Sequence, residues 1–371
     1  MSVYRVISSD SHVFEPPDLW TSRIKTTFHD RVPQWVREGD NDQLYVDGQK
    51  VGAIGLISQA GTRFEAPENI TFEGQLAGVR PGGWDPDEHV KDMDLDGIDG
   101  GVLYPSNGLF LFKVPDNELR SVIFRAYNDW LAEFCQTHPK RLKGIAMLNV
   151  LDLSGAVREL ERCAAMGLAG AMISVFPGYD RLYNRLEYHT LWATAQDLDM
   201  PLSLHTATQS ASPTVYGLDT TTQTATFRAN IDYWPRHCLS DMIYAGVFER
   251  FPRLKVGVVE FEIAWIPYFL RMLDYVYIER QQQASYRYKD GRLPSDVFRN
   301  NVFVSFQEDD LGIQLRDRIG VKTLMWGSDY PHAESTFPRS REILEQILAG
   351  VPDQEKAMIA GDNAARLYHF D

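Results

Sequence analysis

At 371 residues, 44% of them hydrophobic and 12% aromatic, the chain is long enough to bury a large core, and disorder is excluded. A net charge of −14 argues against a nucleic-acid backbone or an anionic membrane as the standing partner, but leaves room for a local pocket that takes an anionic small molecule. Cys135, Cys163 and Cys238 are odd in number and show no CxxC spacing, so a reducing compartment without disulfides is expected. The sequence shows no leader-like start and no apolar run of about 18 residues, which makes the expected location cytoplasmic.

In chain order, the apolar run Val3–Ile7 reads as a buried strand that ends in Ser8, Ser9, Asp10, Ser11 and His12. Residues two apart on an extended chain share a face, so Asp10 and His12 can aim at one point. Residues 16–85 are rich in Gly, Pro and Asp and lack a helical stripe. Within them Leu44–Val51 carries an Asp47-Gly48 turn between strand-like runs, a hairpin signal. This stretch is expected to be an insertion that covers one end of the fold, either as a lid or as a dimerisation arm.

From Trp84 the pattern becomes regular. Helical stretches are predicted at 87–96, 116–137, 154–166, 188–198, from the loop at 206–226 up to Arg250, then at 265–280 and 311–319, with further helices closing the chain. Strand-like runs start near 3, 101, 142, 170, 201, 254, 302 and 323. Eight alternating units predict an α/β fold of the (β/α)8 TIM-barrel type, one domain over 1–371 with the N-terminal insertion 16–85 and its β-hairpin. No Gly-rich dinucleotide fingerprint follows the first strand, which weakens an open doubly wound sheet.

Barrel chemistry gathers at the C-terminal strand ends. Those ends offer Asp10 and His12, His205, Glu260 and Glu262, the run Gln307-Glu308-Asp309, and Asp329 with His332. Singly, each has an ordinary explanation: His205 as a hydrogen-bonded core residue, Glu260 at a helix start, Asp329 as a turn former before Pro331. Together they would repel one another unless a cation held them, and a divalent metal accounts for the set. His29, His89, His138, His189 and His369 lack strand-tip context and read as surface or packing residues, and His237 stays a weak pocket candidate. Trp84, Trp192, Trp265 and Trp326 read as core or pocket wall, and Asn363 as structural.

D-S-H-V-F-E-P at 10–16, H-V-K-D-M-D-L-D-G-I-D at 89–99, P-L-S-L-H at 201–205, F-P-R-L-K-V at 251–256, W-G-S-D-Y-P-H at 326–332 and G-D-N-A-A-R-L-Y at 361–368 occur in this order. With them the chain resembles the amidohydrolase-related branch of the amidohydrolase superfamily, which includes aminocarboxymuconate semialdehyde, resorcylate and carboxyvanillate decarboxylases. The resemblance implies a metal-dependent barrel, often dimeric, acting on small aromatic or carboxylated metabolites. Matched position by position, the family's first-strand His-x-His is Asp10-Ser11-His12, its fifth-strand histidine is His205, its eighth-strand aspartate is Asp329, and its sixth-strand histidine falls at Glu260.

The leading expectation is one divalent cation, Zn2+, Mn2+ or Fe2+, held by Asp10, His12, His205 and Asp329. Glu260 and His332 are further metal candidates, and either would move the proton. Replacing nitrogen ligands by oxygen favours the harder ions. Hydrolysis and non-oxidative decarboxylation stay open on this site. A second expectation joins Glu260, Glu262, Glu308, Asp309 and Asp329 to the histidines as a carboxylate-rich pair of iron sites, a non-haem di-iron monooxygenase. A third is a non-catalytic barrel.

Overall fold

The computed structural model describes residues 4–24, 26–28, 30–210 and 225–370. Most of the expected loop at 206–226, and His29, lie outside the described residues.

Strand β1 (Ile7–Val13) is followed by a three-stranded antiparallel sheet of β2 (Gln34–Glu38), β3 (Asn41–Val46) and β4 (Gln49–Ala53). Seven more barrel strands then follow: β5 (Gly100–Pro105), β6 (Leu142–Met147), β7 (Gly170–Ile173), β8 (Leu202–His205), β9 (Val256–Val259), β10 (Val302–Phe306) and β11 (Leu324–Trp326). The eight strands pair in the order β1-β5-β6-β7-β8-β9-β10-β11, and each pairing is parallel. This is the (β/α)8 barrel read from the alternating pattern. Most of these strands are short, largely apolar runs, as strands buried on both faces tend to be, and β1 (Ile7–Val13) is the polar exception.

Helix ends follow their capping residues. Asp85 accepts from the amides of Asp87 and Glu88 to start the Pro86–Asp96 helix, and left-handed Gly97 stops it. Asp116 does the same for Asn117–Gln136 through Glu118 and Leu119. The helix expected over 311–319 is instead two short ones, Asp310–Gln314 and Arg316–Ile319, broken where Leu315 leaves helical geometry.

In the insertion the hairpin is β3–β4, with Asp47 and Gly48 both at positive φ as a two-residue primed turn requires. Strand β2 is an addition. Its half-exposed and exposed residues give no alternation to read, because it pairs on one side only at the sheet edge.

The first strand lies further along than its apolar run suggests. Ile7–Val13 is fully buried, so Asp10 and His12 sit inside β1 rather than beyond it. The pairing with β5 slips by one residue between Ser8 and Ser11. Such a bulge re-aims the side chains that follow it. The barrel closes above β11, where the Asp329 amide donates to the Asp10 carbonyl at 2.8 Å and the His12 amide to the Tyr330 carbonyl at 2.5 Å. Gly327 permits this approach, since a Cβ there would lie 2.6 Å from the Asp10 Cβ.

Beneath these strand ends the interior is hydroxylated: Ser9 Oγ lies 2.8 Å from Ser305 Oγ, and Ser8 Oγ 3.1 Å from Ser328 Oγ. Trp192 and Trp326 are core residues. Asn363 is structural, its Nδ2 donating to the carbonyls of Val321 and Leu324 at the base of β11.

Candidate active site

His12 Nε2 lies 3.3 Å from Asp10 Oδ1 and 3.3 Å from Asp329 Oδ1, and His205 Nε2 lies 3.4 Å from Asp10 Oδ1. These four atoms are buried, and none has a hydrogen-bond partner. Both imidazoles turn their other nitrogen to a carbonyl, His12 Nδ1 to Pro105 at 2.9 Å and His205 Nδ1 to Thr206 at 3.2 Å. A carbonyl only accepts, so Nδ1 carries a proton, and in the neutral form of either ring Nε2 presents a lone pair. Two lone pairs and two carboxylate oxygens thus face one point, and two oxygen with two nitrogen donors fit a divalent cation.

The electrostatics agree. Burial pushes the Asp10 carboxyl up, but His12 and His205 outweigh it and hold Asp10 below its usual range. Burial likewise opposes His12, yet Asp10 and Asp329 raise it well above an ordinary imidazole. Asp329 is held low against its own burial by His332 and His12. Each shift asks for positive charge at the same place.

Glu260 and His332 flank the cluster. Glu260 Oε2 is 3.6 Å from His205 Nδ1, and burial with the nearby Asp329 and Asp10 pushes its carboxyl well up. The His332 ring lies 3.9 Å from the His12 ring, centroid to centroid, with Nδ1 2.8 Å from Asp329 Oδ1 and Nε2 3.0 Å from Ser106 Oγ. Burial pushes its imidazole down. Glu260 is in ligand reach of Asp10, His12 and His205, and His332 of His12 and Asp329.

Backbone strain gathers here as well. Ala207, Glu260, Glu262 and Asp329 all adopt left-handed φ between 50° and 65°, just past the ends of β8, β9 and β11. Such a conformation costs a non-glycine residue on the order of 1 kcal/mol, and it concentrates at functional sites.

Above the cluster is a cavity of about 70 Å³ with apolar walls from Leu56, Ile57, Leu109 and Phe110, and with Arg228 and Glu334 among its polar residues. A larger cavity, about 410 Å³ between the helices 117–136 and 153–165, holds none of the candidate ligands.

The amidohydrolase family profile matches residues 78–370. The chain belongs to the amidohydrolase family. It is therefore a metal-dependent enzyme of the hydrolase and decarboxylase kind, and the non-catalytic barrel is set aside. The chain is 28% identical over 337 residues to gamma-resorcylate decarboxylase of Rhodococcus jostii, covering 83% of this chain and 97% of that one. Its fold matches an amidohydrolase from Mycobacterium avium subsp. paratuberculosis with TM-score 0.79 and 23% identity, covering 99% and 100% of the two chains. It also matches dihydroxybenzoic acid decarboxylase from Polaromonas sp. JS666, solved with manganese and 2-nitroresorcinol, at TM-score 0.66 and 18% identity over 99% and 97%.

Within this amidohydrolase, Asp10, His12, His205, Glu260, Asp329 and His332 come together from β1 and from the ends of β8, β9 and β11. The remaining acidic residues do not join them, and the two-iron expectation is corrected on that ground. Glu262 accepts the amides of Gln307 and Glu308 at 3.2 and 3.3 Å. Glu308 is gripped through both oxygens by Arg63. Asp309 accepts the amides of Ile263, Ala264 and Gly312 at 2.7–2.8 Å. All three are engaged in bracing the loops after β9 and β10. His237 is corrected too: it pairs with Asp241 at 3.2 Å on its own helix and lines no part of the cavity.

Ser106 and Glu15 were not readable as site residues. Ser106 follows β5, a strand tip without an acid or imidazole to mark it. Glu15 is fully buried, accepting the amides of Asn107 and Gly108 and the Asn107 side chain at 2.8–2.9 Å. Its signal was its place in the Asp10–Pro16 motif.

Proposed function

We propose that this amidohydrolase is a non-oxidative decarboxylase of a small aromatic carboxylate, with Asp10, His12, His205 and Asp329 as ligands of a single divalent cation. The observation that carries the reading is the set of four buried, unpartnered donor atoms on those residues beneath an apolar-walled pocket. The names of the relatives support decarboxylation over hydrolysis. When bound, the cation supplies charge to orient the substrate and to stabilise the negative charge that develops as the ring–carboxylate bond weakens.

The chain's own residues do the rest. Leu56, Ile57, Leu109 and Phe110 hold the ring and exclude water. Glu260, which lines the same pocket, delivers a proton to the ring carbon that loses CO2. His332, fixed between Asp329 and Ser106, keeps the Asp329 carboxylate oriented. With two oxygen donors beside the two imidazoles, Mn2+ competes with Zn2+ for the site, and the manganese in the Polaromonas enzyme supports that reading.

Residues 16–85 serve as the lid, because Leu56 and Ile57 form pocket wall. Three free, buried cysteines support a cytoplasmic setting. The exposed Tyr268, Tyr275 and Ile278 of the 266–279 helix support a homodimer.

The deciding experiment measures bound metal by mass spectrometry and CO2 release from 2,6-dihydroxybenzoate and from 5-carboxyvanillate. One Mn2+ or Zn2+ per chain with CO2 release from either acid is expected. A metal-loaded enzyme that cleaves amides or lactones but releases no CO2 would overturn the reading.

A further inference from the structure

Among the described residues that line the pocket, Arg228 is the one lysine or arginine, and its guanidinium is already engaged. Arg228 Nη2 donates to Glu334 Oε1 at 2.8 Å. The two side chains are 39% and 53% exposed, so water competes for the pair and it is easily broken.

The two ends of Glu334 are held differently. Its backbone carbonyl accepts from Arg63 Nη1 at 2.6 Å and from Gln307 Nε2, and Arg63 is itself anchored on Glu308. Its carboxylate has Arg228 as its contact. The residue is thus tied at the root and released at the tip.

The charge of the lining makes this pair matter. Asp329 and Glu260 belong to the cluster at the cavity floor, so among the described lining residues Glu334 and Arg228 are the charged pair left outside it. An incoming anion that reaches for the guanidinium finds Glu334 already there. A planar carboxylate is the shape that a guanidinium fork accepts best, on the protein or on a ligand.

We propose that Glu334 is an internal competitor for Arg228, and that an anionic group of the substrate enters the pocket by taking the guanidinium from the Glu334 carboxylate, which swings to solvent. The exchange is one ion pair for another, with no bond made or broken. It lowers the affinity for anions, and in return it keeps Arg228 placed at the mouth. The inference rests on the pocket being the substrate site. It makes no use of the reaction that follows.

The test is calorimetric binding of benzoate and of its neutral isostere benzamide to the full-length, Mn2+-loaded protein. The variants are Glu334→Gln, Arg228→Gln and the double variant. Glu334→Gln is expected to tighten benzoate about three- to five-fold, the range of a weak exposed pair, and to leave benzamide unchanged. Arg228→Gln is expected to weaken benzoate about ten-fold or more. On the Arg228→Gln background, Glu334→Gln should add nothing.

The proposal is overturned by unchanged or weaker benzoate binding in Glu334→Gln, by an equal gain for benzamide, or by a Glu334→Gln gain that persists without Arg228. Absence of benzoate binding in both wild type and Glu334→Gln would overturn it too. Because binding is read rather than CO2 release, an enzyme that proves to be a hydrolase can still pass this test.

Discussion

Ser106 Oγ lies 3.0 Å from His332 Nε2, on the far side of the ring from Asp329. His332 Nδ1 faces Asp329 Oδ1 as an ion-pair contact at 2.8 Å, and the serine hydroxyl takes the other ring nitrogen. Ser106 is in turn located by the turn that Glu15 clamps through Asn107 and Gly108. A buried carboxylate just past the end of β1 therefore helps to decide where a ring at that centre stands.

Removing the hydroxyl tests this arrangement. Ser106→Ala is expected to lower kcat about ten-fold with KM changed less than two-fold, since an orienting contact is lost and not a binding one. Ser106→Thr, which keeps the hydroxyl, should recover most of the rate. Glu15→Ala leaves three buried N–H groups unsatisfied and is expected to cost about 3 kcal/mol or more of stability in urea unfolding.

Metal removal is the second test. Exhaustive chelation is expected to abolish turnover and to lower Tm, because a ligand bound only by the native state stabilises it. His12→Ala and Asp10→Ala should each lose the metal in elemental analysis after dialysis. Full metal occupancy in either variant would show that the cluster is not the metal site.

A third prediction concerns Gly327. The added methyl group of Gly327→Ala would stand 2.6 Å from the Asp10 Cβ and 3.0 Å from the Asp10 amide, so β1 must shift. The expected outcome is a loss of about 1–3 kcal/mol together with weaker metal binding, read by thermal unfolding with and without added Mn2+. Gly350, which has nothing nearby but a positive φ, should lose stability on the same change without affecting metal binding.

The helix 86–96 carries two titrating groups of opposite sign. Burial lowers His89 to about 4, while burial raises Asp96 to about 6 even though it accepts from the Ser340 amide and hydroxyl. His89 contributes stability that is present above its unfolded pKa and lost as pH falls from about 6.5 to 4, on the order of 3 kcal/mol. Asp96 contributes stability that is present below its unfolded pKa and lost as pH rises from about 3.8 to 6, of similar size. The two nearly cancel between pH 4 and 6. Asp96→Asn is expected to leave the His89 contribution exposed, so that Tm falls more steeply from pH 6.5 to 4 than in the wild type. A parallel pair of Tm profiles would refute this.

Much of the molecule was legible because its cause is local. The eight apolar runs, the Asp-Gly hairpin and the Asp85 and Asp116 caps are set by side-chain period, turn chemistry and hydrogen bonds within a few residues. The candidate site was legible in part for the same reason: acids and imidazoles at strand ends announce themselves one strand at a time. What depended on closing the barrel was not. The sequence offered Glu262, Glu308 and Asp309 beside Glu260 and Asp329 as a second, two-iron set of ligands. The tertiary structure placed the first three on backbone amides and Arg63, and the last two at the pocket. Left-handed backbone at Glu260 and Asp329 and the slip in β1 aim side chains through contacts hundreds of residues apart, such as the hydrogen bond from the Asp329 amide to the Asp10 carbonyl. The sequence by itself determined which groups were available and on which strands. Tertiary structure decided which of them share one point, because that depends on where the last strand meets the first.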